Sequence, residues 1–368
     1  MIFREGAEGS EDKRVVDFSR QRCYFDGMSE VMLAATLVVG LALFFDFTNG
    51  FNDSANQVAT VITSNAMQPA TALFVAGLGN FVGAYFLGTA IAETLGKGIV
   101  NPDLLIGTGV SGAMVVFAAL LGAVAWNLIS WRLGVPSSSS HALIGGLLGA
   151  FIVGWGFGQI NWDKVVTIVA IMILSPIIGF VTSYLFTRGT ITASNNATPS
   201  INKFFRRLQI FSLSATSLAH GTNDAQKTMG VITFALIILG LHSAPEGSGA
   251  FVPKWVILSA SIAPAIGTMT GGWRIIKTLG SKLYRVRPIH AFSSQVVSAA
   301  IIYGTAIFGF PISTTQVISS SVMGAGAASR FKMVRWLVAK DMGLAWLITI
   351  PSSAAVAAIT LLVIRTIF

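Results

Sequence analysis

The chain alternates long apolar runs with short polar stretches that are embedded among them. Val31–Phe45 is almost continuously apolar, and Ala70–Ala92 is apolar again. Between these runs lies Asn49–Asn56, with the sequence Asn-Gly-Phe-Asn-Asp-Ser-Ala-Asn. An ionisable side chain such as Asp53 costs about 2.5–3.5 kcal/mol at membrane depth on insertion scales. The glycine and the carboxamides beside it predict a broken helix whose freed backbone lines a wet cavity.

The apolar runs predict about ten to twelve segments that cross or re-enter a membrane. The linker between the two halves is predicted at Arg188–Arg207, because its Thr190–Ser200 portion is dominated by Thr, Ser, Asn and Pro. The predicted helical segments are Val31–Phe47, Pro69–Leu95, Leu104–Leu133, Ala142–Gly156, Val165–Phe186, Val231–Leu241, Trp255–Leu279, Ile289–Phe308 and Trp336–Phe368.

Two motifs occur twice, and they occur in the same order. The polar stretch returns as His220–Lys227, in which Gly, Asn and Asp recur at matched positions. Pro136–Ser140, a proline followed by four serines, returns as Pro-Ile-Ser-Thr-Thr at Pro311–Thr315. In both halves nearly the same length of chain separates the Asp of the first motif from the Pro of the second. This recurrence predicts a duplicated chain. Because proline and hydroxyls suit helix starts, each Pro-hydroxyl run predicts the tip of a re-entrant hairpin.

Composition places the chain among membrane proteins. Its 368 residues are 53% apolar and 11% charged, and the mean hydropathy is +0.73. These values exclude an ordinary soluble domain. The predicted fold is an all-α polytopic membrane protein with two inverted-topology repeats, discontinuous helices and re-entrant hairpins. The single Cys23 excludes a disulfide framework and a thiolate metal site.

The charge distribution predicts the orientation. Basic residues concentrate in acid-free stretches such as Arg188–Arg207, which lie between apolar helices, and this favours cytoplasmic loops over a nucleic-acid surface. The first half begins from an acidic arm, expected outside, and the second from the basic linker, expected inside, with both termini outside. Two similar halves that enter from opposite faces place a substrate site at the midplane. The predicted units are a polar arm at 1–30, a first membrane repeat at 31–187, a basic cytoplasmic linker at 188–207 and a second membrane repeat at 208–368.

Carboxylates within apolar context are the first candidate chemistry. Asp53 and Asp224 each sit in an Asn-Asp pair, and Asp46 is a third candidate within apolar context, without a twin. Carboxylate and amide oxygens are ligands for a hard cation such as Na⁺, and a carboxylate can also carry a proton. The alternative is a polar network that only holds two helices together. The candidate cation ligands are Asp53, Asp224, Asn52, Asn56 and Asn223, with Na⁺ expected at Asp53 and Asp224.

Hydroxyl runs at helix starts are the second candidate chemistry. Hydroxyls, backbone N–H groups and the helix dipole at Ser137–Ser140 and Ser313–Thr315 suit a tetrahedral oxyanion, although serines in membrane helices also serve as packing or capping residues. His141 is a proton relay or a cap, and Gln316 at the matching position favours hydrogen bonding. Lys227 follows Asp224 by three positions, so on a helix it either neutralises that carboxylate or contacts the anion.

Two other classes of protein are alternatives. Gly109-Val110-Ser111-Gly112 superficially resembles the nucleophile motif of intramembrane serine proteases, and Ser140-His141 offers nucleophile and base types. Adjacent residues point in different directions on a helix, however, and glycine-serine pairs are common where membrane helices pack closely. The chain is therefore not expected to be an enzyme. The other alternative is a structural protein or passive channel whose polar motifs only join helices or line a pore.

Together, Gly50–Asn56, Pro136–His141, His220–Gly230, Gly271–Lys277 and Pro311–Thr315 resemble the inorganic phosphate transporter (PiT) family. The resemblance covers about residues 31–368 and implies a multi-pass symporter of the cell membrane. Such a protein imports inorganic phosphate with Na⁺ or H⁺, needs no further cofactor and forms a homodimer in the bilayer; sulfate is the alternative substrate. With the hydroxyl runs, this gives as candidate phosphate-binding residues Ser137, Ser138, Ser139, Ser140, Ser313, Thr314, Thr315, Asn52 and Asn223.

The sequence departs from the family pattern at two positions. Gln316 stands where the family often has histidine, and Gln295 lies where many members carry a carboxylate. Asn80 is also an amide. Fewer buried carboxylates imply fewer cation or proton sites, so the pattern leaves the coupling ion and its stoichiometry open.

Overall fold

The computed structural model describes residues 12–99, 107–243, 251–278 and 286–367, and these residues are almost entirely helical. The helices, numbered in chain order, are α1 Asp12–Thr63, α2 Pro69–Phe86, α3 Ala90–Gly98, α4 Gly109–Leu133, α5 Ser139–Trp155, α6 Trp162–Ala193, α7 Ile201–Ile238, α8 Lys254–Thr270, α9 Trp273–Lys277, α10 Pro288–Ile307, α11 Thr314–Ser329 and α12 Trp336–Ile367. The all-α part of the predicted fold is therefore confirmed.

Five of the described helices are long and apolar enough to cross a membrane. They are α2, α4, α6, α12 and the Met28–Thr63 part of α1. The apolar helix α5 has only 17 residues. At 1.5 Å per residue it spans about 25 Å, which is less than the roughly 30 Å hydrocarbon core. The expectation of a re-entrant hairpin at α5 remains a prediction.

The two polar motifs do not break their helices, so this part of the prediction is wrong. Helix α1 continues through Asn49–Asn56, and helix α7 continues through His220–Lys227. At 3.6 residues per turn, the polar residues of each motif fall on one helix face. Neighbouring helices supply polar partners to this face on α1, including Asp224 and Thr315 from the other half of the chain, so the backbone has no need to open.

Two predicted long segments are instead pairs of helices. Pro69–Leu95 divides into α2 and α3, and the break contains Gly88, with a φ of +106°. Trp255–Leu279 divides into α8 and α9 at Gly271, with a φ of +74°. Glycine adopts positive φ without the Cβ penalty of other residues, so the chain turns at both points.

Helices extend into the predicted linker from both sides. Helix α6 continues to Ala193 and helix α7 begins at Ile201, which leaves only residues 194–200 between them. Helix α1 similarly begins at Asp12, inside the predicted polar arm, and residues 1–11 lie outside the described residues. The proposed division into two membrane repeats is not changed by these extensions.

Helices begin at both hydroxyl runs, as predicted. Helix α5 starts at Ser139 and α11 at Thr314. The N-cap side chains Ser138 and Ser313 accept from the backbone N–H groups of His141 and Gln316, each over 3.2 Å. Each N-cap bond pairs one of the N–H groups that a helix start leaves without an intrahelical acceptor.

Helices of each half of the chain pack against helices of the other half. Helix α1 packs on α8, and α7 packs on α2; α5 packs on α12, and α11 packs on α6. Glycines make the first pair of contacts close. A Cβ added at Gly50 would overlap the main chain of Pro264, and one at Gly221 would overlap the main chain of Asn80. Because Gly50 and Gly221 occupy the same place in the two polar motifs, the same kind of contact occurs twice.

Candidate functional site

Two matched stripes of polar side chains face each other where α1 meets α7. Each stripe uses positions i, i+3, i+4 and i+7, the spacing of one helix face. Every member of both stripes is buried. The stripe on α1 consists of Asn49, Asn52, Asp53 and Asn56, and the stripe on α7 consists of His220, Asn223, Asp224 and Lys227.

Asp53 is held by neutral donors. Its Oδ1 accepts from the amide of Asn56 at 2.8 Å and from the hydroxyl of Thr315 at 2.9 Å. The Asn56 amide also donates to the Thr315 hydroxyl at 3.1 Å. Thr315 belongs to the second half of the chain, so the start of α11 is bound directly to the carboxylate of α1.

Asp224 is held by a positive charge. The Nζ of Lys227 lies 2.6 Å from Asp224 Oδ1, and the hydroxyl of Thr314 donates to Oδ2 at 3.0 Å. The same Nζ donates to Ser140 Oγ at 2.6 Å and to the carbonyl oxygen of Ile312 at 3.1 Å. Of the two roles that the sequence allows for Lys227, the structure therefore shows contact with the carboxylate.

His220 lies between the two carboxylates. Its Nε2 is 3.6 Å from Asp53 Oδ2 and 3.3 Å from Asp224 Oδ2. One ligand atom from each of these three side chains lies within 4.8 Å of the others. The sequence-based candidates did not include His220, although it precedes Asp224 by four positions and so shares its helix face.

The hydroxyl runs reach the same junction. Thr314 and Thr315 contact the carboxylates, and Ser140 Oγ contacts Lys227 and donates to the Ile312 carbonyl at 3.0 Å. The remaining predicted hydroxyls differ in what they do: Ser138 and Ser313 cap helices, whereas Ser137 and Ser139 are buried within the first run. The structure thus brings the two Asp residues together with one hydroxyl of the first run and two of the second.

Equivalent residues from the two halves also meet. His141 Nε2 lies 3.4 Å from the side-chain Nε2 of Gln316, and these residues occupy matching positions after their hydroxyl runs. The Nδ1 of His141 lies 2.6 Å from Ser138 Oγ. His141 therefore lies within hydrogen-bond distance of both side chains.

Several acceptor oxygens on α1 are buried without a hydrogen-bond donor among the described residues. They are Asp53 Oδ2 and the amide oxygens of Asn49, Asn52 and Asn56. Asn52 Nδ2, by contrast, donates to the carbonyl of Asn127 at 3.1 Å. A carboxylate and three amide oxygens that lack donors are the ligand type of a hard cation. On α7, the Asn223 amide lacks partners among the described residues, whereas both Asp224 oxygens have donors.

Three further polar residues from the sequence analysis lie outside this network. Asp46 is fully buried on α1, and neither carboxylate oxygen has a hydrogen-bond partner among the described residues. Gln295 accepts from Ser212 at 2.6 Å and donates to the carbonyl of Gln57 at 3.3 Å, so it joins α10 to α7 and α1. Asn80 donates to Thr268 at 2.8 Å and joins α2 to α8. Gln295 and Asn80 therefore serve the contact between helices.

The sequence matches the model of the phosphate transporter family over residues 49–195 and 188–357. It is 44% identical over 342 residues to a probable low-affinity inorganic phosphate transporter of Bacillus subtilis, covering 93% of this chain and 100% of that one. A relative of the same description from Rhizobium meliloti is 42% identical over 341 residues, with 90% and 97% covered. These matches confirm the resemblance found in the sequence, and they agree with the expectation that the chain is not an enzyme.

A solved structure shares the fold. The structure of a protein described as the sodium-dependent phosphate transporter superposes with a TM-score of 0.80 at 23% identity, covering 91% of this chain and 100% of that chain. At this identity the similarity concerns the fold alone.

Proposed function

The chain belongs to the phosphate transporter family, and on that premise we propose that it imports inorganic phosphate by symport with Na⁺. In this role it is a secondary active transporter that crosses the cell membrane several times and is built from two inverted repeats. The observation that carries this proposal is the buried junction where Asp53 and Asp224 meet the hydroxyls of two helix starts.

Na⁺ binds beside Asp53 in this proposal. The support is the set of four acceptor oxygens on α1 that lack donors among the described residues. Oxygen ligands suit Na⁺, whereas the imidazole of His220 suits transition metals better. The similar solved structure carries the description sodium-dependent, which favours Na⁺ over H⁺ as the coupling ion.

Phosphate binds at the starts of α5 and α11. The hydroxyls of Ser139, Ser140, Thr314 and Thr315 and the N–H groups of these helix starts are its donors, with Ser137, Ser138, Ser313, Asn52 and Asn223 around them. Support comes from the contact between the two runs, in which Ser140 donates to the Ile312 carbonyl.

Coupling follows from electrostatics. An ionised Asp53 repels a phosphate anion, and at about 6 Å with an effective dielectric constant of about 20 the repulsion is ~3 kcal/mol per pair of unit charges. A cation beside Asp53 removes this repulsion, so phosphate affinity depends on cation occupancy, and cation affinity depends equally on phosphate. Neither ligand then crosses efficiently alone, and the Na⁺ gradient drives accumulation.

The two repeats correspond to residues 31–187 and 208–368, with the basic linker in the cytoplasm and both termini outside. Their support is the exchanged packing of α1 on α8 and α7 on α2, together with the matched glycine contacts. The contact between the equivalent residues His141 and Gln316 supports a pseudo-two-fold axis that passes near the site. We propose a homodimer as the assembly in the bilayer, as the family resemblance implies.

Reconstituted vesicles test the function. Labelled phosphate is supplied outside, and a Na⁺ gradient is imposed at equal pH. The phosphate concentration inside the vesicles should then rise above its equilibrium value. A passive channel would never raise it above that value. Accumulation driven by a pH gradient in sodium-free buffer, without any effect of Na⁺, would replace Na⁺ by H⁺ as the coupling ion.

Competition with sulfate tests the substrate. Phosphate still carries a proton at neutral pH and can donate to a buried acceptor such as Asp53, whereas sulfate cannot. A site that leaves a buried acceptor unpaired rejects the wrong ligand. Unlabelled phosphate should therefore inhibit uptake more strongly than unlabelled sulfate, and equal inhibition would indicate a general oxyanion transporter.

A further inference from the structure

The two stripes are matched in position but differ in charge. Asn56 and Lys227 are equivalent residues, because each follows the Asp of its own motif by three positions and contacts that carboxylate. Each also contacts the last hydroxyl of the other half's run: Asn56 contacts Thr315 at 3.1 Å, and Lys227 contacts Ser140 at 2.6 Å. The same place in the fold therefore holds a neutral amide in the first half and an ammonium group in the second.

The surroundings of the ammonium are those of a metal cation. Lys227 Nζ is bound by a carboxylate oxygen of Asp224, a hydroxyl of Ser140 and a backbone carbonyl of Ile312, at 2.6, 2.6 and 3.1 Å. Carboxylate, hydroxyl and carbonyl oxygens are the ligands that a hard cation takes in proteins. An ammonium group carries the same unit charge as Na⁺, but it is fixed to the chain and cannot be transported.

The first half shows the opposite pattern. Among the described residues, His220 is the only basic side chain at ion-pair distance from Asp53, 3.6 Å away, and it carries a charge only when protonated. Asp53 Oδ2 and the amide oxygens of Asn49, Asn52 and Asn56 lack hydrogen-bond donors there. The first position therefore offers free acceptors to a mobile cation, whereas the second has its carboxylate paired already.

We infer that Lys227 is a tethered counter-cation that fills the second of two duplicated cation positions, so that the transporter couples one mobile Na⁺, bound beside Asp53, to each phosphate. This inference rests on the proposed function, because it specifies how many cations the same site carries. It also gives a physical role to the asymmetry between otherwise matched halves. The fixed charge neutralises Asp224 in every state, whereas the mobile charge neutralises Asp53 only when Na⁺ is bound.

Reciprocal exchange of the two side chains tests the inference. Lys227→Asn gives the second half the residue of the first, and Asn56→Lys gives the first half the residue of the second. Binding of labelled Na⁺ to purified protein in detergent should reach one ion per chain in the natural protein, two in Lys227→Asn and none in Asn56→Lys. Lys227→Met is the matched control: its side chain fills a similar volume without a charge or an oxygen ligand, so the count should stay at one ion per chain. Size-exclusion chromatography identifies any variant that does not fold.

The energetics of transport provide a second readout that needs no variant. In vesicles at equal pH and zero membrane potential, a tenfold Na⁺ gradient should accumulate phosphate about tenfold with one coupled ion and about a hundredfold with two. Two ions per chain in the natural protein, or an unchanged count in folded Lys227→Asn, would overturn the inference. Failure of the proposed function looks different: phosphate would not accumulate under any cation gradient, whatever the number of Na⁺ bound.

Discussion

Replacing Lys227 by methionine should destabilise the fold strongly, because it removes one member of a buried ion pair. Lys227 and Asp224 expose 3% and 2% of their side chains. The ammonium group makes three contacts, to Asp224, Ser140 and the Ile312 carbonyl. Methionine fills a similar volume but donates to none of them, so Asp224 keeps a buried charge without its nearest positive partner.

The size of the effect follows from burial. Removing one partner of a buried ion pair costs about 3–5 kcal/mol, whereas replacing both partners by neutral groups is often close to neutral. Lys227→Met should therefore lower the free energy of unfolding by about 3–5 kcal/mol. In the double variant Lys227→Met/Asp224→Asn, at least about 2 kcal/mol of this loss should be recovered, since contacting residues show coupling energies of this order.

Denaturant titration of purified protein in detergent, in sodium-free buffer, measures these differences. Lys203→Met is the surface control, because Lys203 is exposed on α7 and its loss should change stability by less than about 0.5 kcal/mol. If Lys227→Met matches this control, the pair contributes little to the fold. If the double variant is simply the sum of two losses, the two side chains are not coupled and the assignment of Lys227 as the counter-charge is refuted.

Three other predictions concern packing, binding and orientation. Gly50→Ala should destabilise the protein by about 1–3 kcal/mol, since its Cβ would overlap the main chain of Pro264. Gly40→Ala is the control and should not destabilise it, because nothing lies within 4 Å of the added Cβ. Unfolding titrations compare the two variants. Thr315→Val removes a donor to Asp53 and should weaken phosphate binding by about 0.5–3 kcal/mol. The loss should appear as a raised KM for phosphate uptake. An unchanged KM would show that this hydroxyl does not contribute to phosphate binding. A cysteine at Ser194 should resist an impermeant label from outside, and its modification there would reverse the proposed topology.

Features that are fixed by local chemistry were predicted well from the sequence. The starts of α5 and α11 were found because hydroxyl side chains have a defined role as helix N-caps, and Ser138 and Ser313 take that role. The choice of Asp53 and Asp224 as matched candidates followed from the recurrence of both motifs at nearly equal spacing. Local residue types and their repetition carry these signals, so no knowledge of the packed structure is needed.

Features that depend on contacts between distant segments were not predicted. The continuity of α1 through Asn49–Asn56 depends on polar partners that α7 and α11 supply, and these partners belong to the other half of the sequence. His220 was missed for a related reason. Its place between two carboxylates depends on the crossing of α1 and α7, although the spacing of four positions from Asp224 was available as a signal.

The Gln295 position illustrates the same limit. The sequence shows an amide at this position, but only the structure shows its contacts with Ser212 and Gln57. Its amide serves the contact between helices. The reduced number of carboxylates was visible beforehand, whereas the inferred replacement of a cation by Lys227 required the distances around its Nζ.

Phosphate binding measured as a function of Na⁺ in the natural protein and in Asp53→Asn tests the central claim most directly. Purified protein in detergent is titrated with labelled phosphate at fixed pH across a range of Na⁺ concentrations. The natural protein should bind phosphate more tightly as Na⁺ rises, and Asp53→Asn, which has no carboxylate charge to compensate, should bind phosphate with an affinity independent of Na⁺. Equal dependence on Na⁺ in both proteins would contradict the assignment of Asp53 as the site where cation binding controls phosphate binding.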